Sequence, residues 1–378
     1  MSVFIRPITS GAVMESIFRK YAKVLVDYSL GLKKGDRLLI KGSYLAEELV
    51  REVYRAALEK GALPETQIAV NGLTKIFYDT ASDDQMKDVS PVSRYITENY
   101  DALLNIESPF NLKELQNVDP AKKQAVAVAR TEINKIFMDR AARNELRWTL
   151  CVFPTDSQAQ EAGMSKSEYE EFVYSACKLY EDDPVKSWEK LYDDQQGIVD
   201  YLNGKKKIQY LSKDVDVIFS TEGRLWLNSG GTHNMPSGEV FTAPVEDSVN
   251  GKVRFSYPGI FMGQEIEDIC LEIKDGQVVK WTAAKGQQLL DKVFEIEGAR
   301  YFGEVAIGNN YGIQKFTRNM LFDEKIGGTI HMAVGATYPE TGGKNESSIH
   351  WDLLADMKQD SQIIADGEVI YRNGKFLI

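Results

Sequence analysis

The chain has 378 residues, 43% hydrophobic and 27% charged, an ordinary globular balance with room for two or three domains at about 150 residues each. Its 45 basic and 56 acidic residues leave a net charge of −11, which repels a phosphate backbone and argues against nucleic acid as a partner. Three cysteines with no CxxC pair, no apolar leader in Met1 to Gly11 and no apolar run long enough to span a bilayer read as a cytoplasmic protein without a membrane partner.

Apolar residues Ile17, Tyr21, Val24, Leu25 and Tyr28 recur at helical spacing, so a helix is expected from Val13 to the stop at Gly31. A buried strand follows at Arg37 to Ile40. Leu45, Leu49, Val53 and Ala57 form a second helical face, closed by Lys60-Gly61, and Thr66 to Val70 reads as another strand, completing a βαβ unit. Further strands at Ala102 to Ile106 and Trp148 to Phe153 bracket a helical stretch from Pro120 to about Arg143. Together they predict an open parallel sheet flanked by helices. Amphipathic helices at Tyr169 to Tyr180 and Pro184 to Leu202 end at the basic run Lys205-Lys206-Lys207. The domain boundary is set there, giving an α/β domain over 1–207 and a β-rich domain over 208–378. In the second, short strands are expected at Val215 to Ser220, Arg224 to Asn228, Lys252 to Tyr257, Ile266 to Ile273 and Gln277 to Trp281, with a helix at Gln287 to Glu297. Asp275-Gly276, Asp366-Gly367 and Asn373-Gly374 are hairpin signals, because each pair tolerates positive φ. The expected fold class is therefore α/β plus α+β, with a mainly antiparallel, curved sheet or barrel in the second domain.

Neither GxGxxG nor GxxxxGK[ST] follows the first strand, and no GxSxG elbow occurs. The three histidines are more informative. His331 and His350 both fall in strand-like runs, and His350 with Asp352 occupies i and i+2 of one strand, so imidazole and carboxylate share a face. Glu239 and Glu304 are each the single charge in a Gly-punctuated apolar run. A carboxylate buried there is costly unless paired or bound to a metal, whereas on the outer face of a strand it is simply solvated. Taken singly, each histidine also reads as a satisfied strand residue. Two Glu, two His and one Asp make a ligand inventory for two divalent transition ions that share a bridging carboxylate and water, and hydrolysis is the natural chemistry of such a pair. His233, in the Gly-rich loop Gly230-Gly231-Thr232-His233, is left out of the set.

Four blocks in order carry a further signal: Asn234-Met235-Pro236-Ser237-Gly238-Glu239-Val240-Phe241-Thr242-Ala243-Pro244, Gly298-Ala299-Arg300-Tyr301-Phe302-Gly303-Glu304-Val305-Ala306-Ile307-Gly308, His331-Met332-Ala333-Val334-Gly335-Ala336-Thr337-Tyr338-Pro339 and Asn345-Glu346-Ser347-Ser348-Ile349-His350-Trp351-Asp352. Together they resemble the thermophilic metallo-aminopeptidase family, the aminopeptidase T and S type. The resemblance implies a dinuclear centre with Glu239, Glu304, His331, His350 and Asp352 as ligands and Glu304 as the bridge. Glu324, in Leu321-Phe322-Asp323-Glu324-Lys325, resembles a further acidic ligand. Tyr338 takes the place of the family's catalytic tyrosine, whose phenol would donate to a tetrahedral oxyanion, and the general base stays open between Glu304 orienting the attacking water and Glu324 taking its proton. The resemblance further implies a homodimer that removes the N-terminal residue of short peptides by a metal-bridging hydroxide. Zn, Co and Mn all accept this ligand set. Two other readings stay open: a dimetal hydrolase of another amide or ester, and a non-catalytic α/β protein that binds a small ligand.

Overall fold

The computed structural model describes residues 10–378, with side chains from Ile17 onward. Residues 1–9, on which most of the expectation about a leader falls, lie outside the described residues. Contacts divide the chain into two compact units, 1–188 with 231–236, and 189–230 with 237–378. No helix among the described residues is long and apolar enough to cross a membrane.

The first unit is built on a five-stranded parallel sheet in the order Leu63–Ala69, Arg37–Ser43, Ala102–Glu107, Arg147–Val152 and Asn234–Met235. Parallel neighbours cannot be joined by a tight turn, so helices carry the chain between them. The first helical face is an α-helix over Ser10–Lys23 that widens into a π-helix over Val24–Ser29. Its end is tied down by Arg147, whose guanidinium donates to Leu30 O at 3.1 Å and Gly31 O at 2.8 Å and pairs with Asp36 at 2.6 Å. The stretch read as one helix over 120–143 is two, Pro120–Ala129 and Thr131–Ala142.

The second unit is β-rich and mainly antiparallel, as expected, with two larger antiparallel sheets. An eight-stranded sheet runs Gln277–Thr282, Cys270–Lys274, Asn250–Arg254, Val215–Ser220, Lys207–Leu211, Gln362–Ala365, Glu368–Arg372 and Lys375–Phe376. A five-stranded one runs His350–Asp356, Thr329–Gly335, Phe302–Gly308, Glu239–Thr242 and Leu227–Ser229. Tyr210, Val217, Phe219 and Ile363 from the first sheet share an apolar core with Val305, Ile307, Met332 and Leu353 from the second. All three expected hairpins form: Asp275 and Gly276, Asp366 and Gly367, and Asn373 and Gly374 each have positive φ at both residues, which matches the twist of the strands they join. The strand expected over Ile266 to Ile273 is broken. Asp268 sits at φ 58°, so Gln264–Ile266 pairs with Gly259–Phe261 while Cys270–Lys274 joins the eight-stranded sheet.

Candidate metal centre

Strand parity decides which residues of the five-stranded sheet meet. Val305, Ile307, Ile330, Met332, Val334, Trp351 and Leu353 enter the apolar core, so their alternates project from the opposite face. Those alternates include Glu304, His331, His350 and Asp352, with Glu239 at the head of the neighbouring strand. A bulge sharpens the pattern. The register between Phe302–Gly308 and Thr329–Gly335 shifts between Phe302 and Glu304, and this extra residue lets Phe302 join the core while Glu304, two positions on, faces away from it. Gly303 is required at the bulge, because a Cβ there would stand 2.1 Å from Ala336 O. Between the polar side chains the same face carries Ala306, Ala333 and Gly308, which leave room for the longer side chains to converge. The register places Ala333 opposite both Glu304 and Asp352, and Ala306 opposite His331.

Glu239, Glu304, His331 and Asp352 are buried and His350 is half-buried. His331 Nε2 lies 3.0 Å from Glu304 Oε1 and 3.6 Å from Glu239 Oε2. His350 Nε2 lies 3.3 Å from Glu304 Oε2 and 3.5 Å from Asp352 Oδ1. Glu304 thus presents one oxygen to each imidazole. His350 Nδ1 is 2.7 Å from Ala336 O, and since a carbonyl only accepts, that nitrogen carries the proton. In the neutral ring Nε2 is then a free lone pair aimed at the carboxylates. Glu324 follows the short helix Met320–Asp323, and its carboxylate reaches His331 and Asp352.

Among the described residues, three groups of side chains have ligand atoms within 4.8 Å of one another: Glu239 with Glu304 and His331, Glu304 with His350 and Asp352, and Glu324 with His331 and Asp352. The electrostatics fit a missing positive charge. Burial alone pushes Glu304 and Asp352 toward their neutral forms, yet the neighbouring imidazoles, His331 and His350 beside Glu304 and His350 beside Asp352, hold both below the usual carboxylate range. Burial lowers the imidazoles too, but the carboxylates outweigh it and raise His331 to about 9 and His350 to about 11. Glu324 goes the other way, pushed up to about 8 by burial against the pull of Lys325. Glu239 Oε2, His331 Nδ1 and Asp352 Oδ1 are buried without a hydrogen-bond partner. Orphaned buried atoms of this kind are rare and expensive. Oxygen and imidazole donors, with no sulfur, suit divalent transition ions, so the residues present fit a metal.

Tyr338 stands at the mouth of the cluster, 47% exposed, its ring 5.0 Å from that of His350 and 5.9 Å from that of Phe241. Partial burial, then Glu304, Asp352, Glu324 and Glu239 in turn, raise its phenol well above the usual range. His233 is exposed and lies in the first unit, its ring 4.9 Å from Trp148. One neighbour of the cluster escaped the sequence reading. Lys325 is fully buried, with Nζ 3.4 Å from Glu239 Oε1 and donating to Glu324 Oε1. In Asp323-Glu324-Lys325 it looks like part of a solvated turn, and no spacing signal marks it.

The profile of the thermophilic metalloprotease (M29) family matches residues 14–376. The chain is 30% identical to Aminopeptidase 2 of Geobacillus stearothermophilus over 410 residues, covering 94% of this chain and 97% of the relative. It is 27% identical to Aminopeptidase AmpS of Bacillus subtilis (strain 168), with 96% and 100% covered. The structure superposes on wild-type AmpT from Thermus thermophilus with a TM-score of 0.82 at 24% identity, over 97% of this chain and all of that one, which shows a shared mixed α/β fold. With a match over nearly its whole length, the chain belongs to the thermophilic metalloprotease (M29) family.

Proposed function

We propose that the chain is an aminopeptidase that works with two divalent transition ions held by Glu239, Glu304, Glu324, His331, His350 and Asp352, and that it removes the first residue of short peptides. The observation that carries this reading is Glu304, buried and spanned by two imidazoles at 3.0 and 3.3 Å, with further carboxylates on either side. When bound, such ions supply Lewis acidity toward a carbonyl and lower the pKa of a coordinated water. The chain's own residues do the rest. Glu304 fixes the spacing of the two halves of the cluster, and Ala336 O holds the His350 ring in one orientation. Tyr338 keeps its proton at neutral pH, because burial and the surrounding carboxylates oppose its ionisation, so its hydroxyl donates to the oxyanion that develops on a peptide carbonyl. The preference for the first residue over an internal bond follows from the aminopeptidases this chain is similar to. The same reading takes the enzyme as a cytoplasmic homodimer, on the family resemblance.

The test is hydrolysis of aminoacyl anilides beside their N-acetylated counterparts. Cleavage of the free amines alone, lost on complete chelation and restored by Zn²⁺, Co²⁺ or Mn²⁺, is expected. Activity that survives metal removal ends the reading.

A further inference from the structure

Lys325 has no part in the assignment above, yet its side chain has no solvent exposure and lies against the acids of the cluster. Lysine is almost never fully buried unless paired, and here it is paired with Glu239 and Glu324. Two of the three groups able to hold a cation therefore contain a carboxylate that Lys325 already touches. The third, Glu304 with His350 and Asp352, does not. The cluster has a side with a resident organic cation and a side without one.

Formal charge gives this asymmetry a consequence. Glu239, Glu304, Glu324 and Asp352 bring four negative charges when ionised, and ligating histidines are neutral. With the ammonium in place, one divalent ion leaves the cluster a single charge short of neutrality and a second takes it a single charge past. Without the lysine, the second ion would bring the cluster to neutrality. In a buried site of low effective dielectric such a difference is strongly felt.

We propose that Lys325 is a built-in counter-cation that separates the two metal sites in affinity: the Glu304–His350–Asp352 side fills first and tightly, and the ion on the Glu239 and Glu324 side binds against the ammonium. Lys325 is a positioning residue, acting through the carboxylates it holds. In the protein without its second ion it keeps Glu239 and Glu324 in place, where two bare buried carboxylates would repel. The proposal rests on the two-ion reading and adds an order of filling to it.

The experiment is a calorimetric titration of the chelator-stripped full chain with Co²⁺, followed also by visible absorption, with metal per chain measured after dialysis. The wild type is expected to show two steps whose affinities differ at least tenfold. Lys325→Gln, which keeps a neutral donor for Glu324, narrows that gap at least tenfold by tightening the second step, and Lys325→Arg preserves it. Should Lys325→Gln fail to fold, Lys325→Met replaces it. A wild type that takes up one ion where Lys325→Gln takes up two is the extreme form of the same result. A lysine with only a structural role would change the melting temperature of the stripped protein and leave the separation of the steps alone. Two equal tight steps in the wild type, or a gap that moves less than threefold in Lys325→Gln, overturns the proposal and leaves the two-ion reading standing. A wild type that binds no cobalt overturns both.

Discussion

The sheets of the two units differ in the charge they bury. In the parallel sheet of the first unit the buried polar groups are neutral and partnered. Ser43 Oγ donates to Ser108 O at 2.7 Å and Thr149 Oγ1 to Thr232 O at 2.8 Å. The five-stranded sheet of the second unit also buries partnered neutral groups, Thr242 and Thr329, but beside them it buries charged groups that are mutually close and incompletely satisfied, with atoms of Glu239, His331 and Asp352 left without partners. A neutral side chain that finds a carbonyl costs the fold little. A buried carboxylate without a full set of donors costs several kcal/mol per charge on the order of magnitude of desolvation, and folding alone does not account for three of them, Glu239, Glu304 and Asp352, on one face of a sheet. Burial of polar residues is therefore no marker of function by itself; buried charge left unsatisfied is.

Breaking the charged face should have the largest effect. Glu304→Gln, with one oxygen lost as an anionic acceptor, is expected to lower kcat/KM by roughly 10³-fold or more and to reduce the metal retained after dialysis. Retention of a tenth of wild-type turnover with full metal content would remove Glu304 from the centre. Tyr338→Phe sharpens the comparison, since it touches the mouth of the site without touching the carboxylates. Its kcat should fall about 10²-fold with metal content and circular dichroism unchanged, and a fall in metal content instead would make Tyr338 part of the binding set.

The pH response separates the two faces further. In the metal-free protein His331 and His350 have pKa values of about 9 and about 11, so both carry protons at neutral pH. Their pairing with carboxylates stabilises the fold fully below the ordinary histidine value of about 6.5 and is lost as pH rises through those higher values. Raising the pH from 7 to 9 should therefore lower the melting temperature of stripped protein. Ion uptake has the opposite sign, because ligating nitrogens must first lose their protons. Affinity should rise over the same interval, and calorimetry in buffers of different ionisation enthalpy should show protons released on binding. Binding without proton release would contradict the protonated imidazoles.

How far this centre can be read in the sequence depends on which residues are asked about. His350 and Asp352 are legible because a strand puts i and i+2 on one face, and the hairpins are legible because Asp-Gly and Asn-Gly pairs tolerate positive φ. Glu304 is legible as an isolated charge in an apolar run, though parity counted from Phe302 would put both on one face, and only the bulge at Gly303 separates them. Asp323 and Lys325 are not legible. A run of Asp, Glu and Lys has the composition of a solvated turn, whereas in the fold Asp323 accepts from Thr317 N at 2.7 Å and Lys325 pairs with Glu239, far away in sequence, as well as with its neighbour Glu324. The strand at Ile266 to Ile273 fails for a different reason. Its apolar alternation slips phase at Glu267-Asp268, between Ile266 and the run Ile269, Leu271, Ile273, and Asp268 takes the left-handed conformation where pairing passes from Gly259–Phe261 to Asn250–Arg254.

The smallest effect belongs to the satisfied sheet. Ser43 Oγ donates to Ser108 O and accepts from Leu45 N at 3.2 Å, where the strand Arg37–Ser43 passes into a short helical turn. Replacing it with alanine removes both bonds from a buried site while leaving the neighbouring backbone groups in place. The cost should be about 1 kcal/mol and at most about 3, the range for a lost partner of a buried neutral group, seen as a lower midpoint in urea with an unchanged slope. Metal content and kcat should not move. If Ser43→Ala instead lowered kcat as Tyr338→Phe is expected to, the neutral, partnered side chains of the first unit would have to be counted with the machinery, and the distinction drawn between the two sheets would fail.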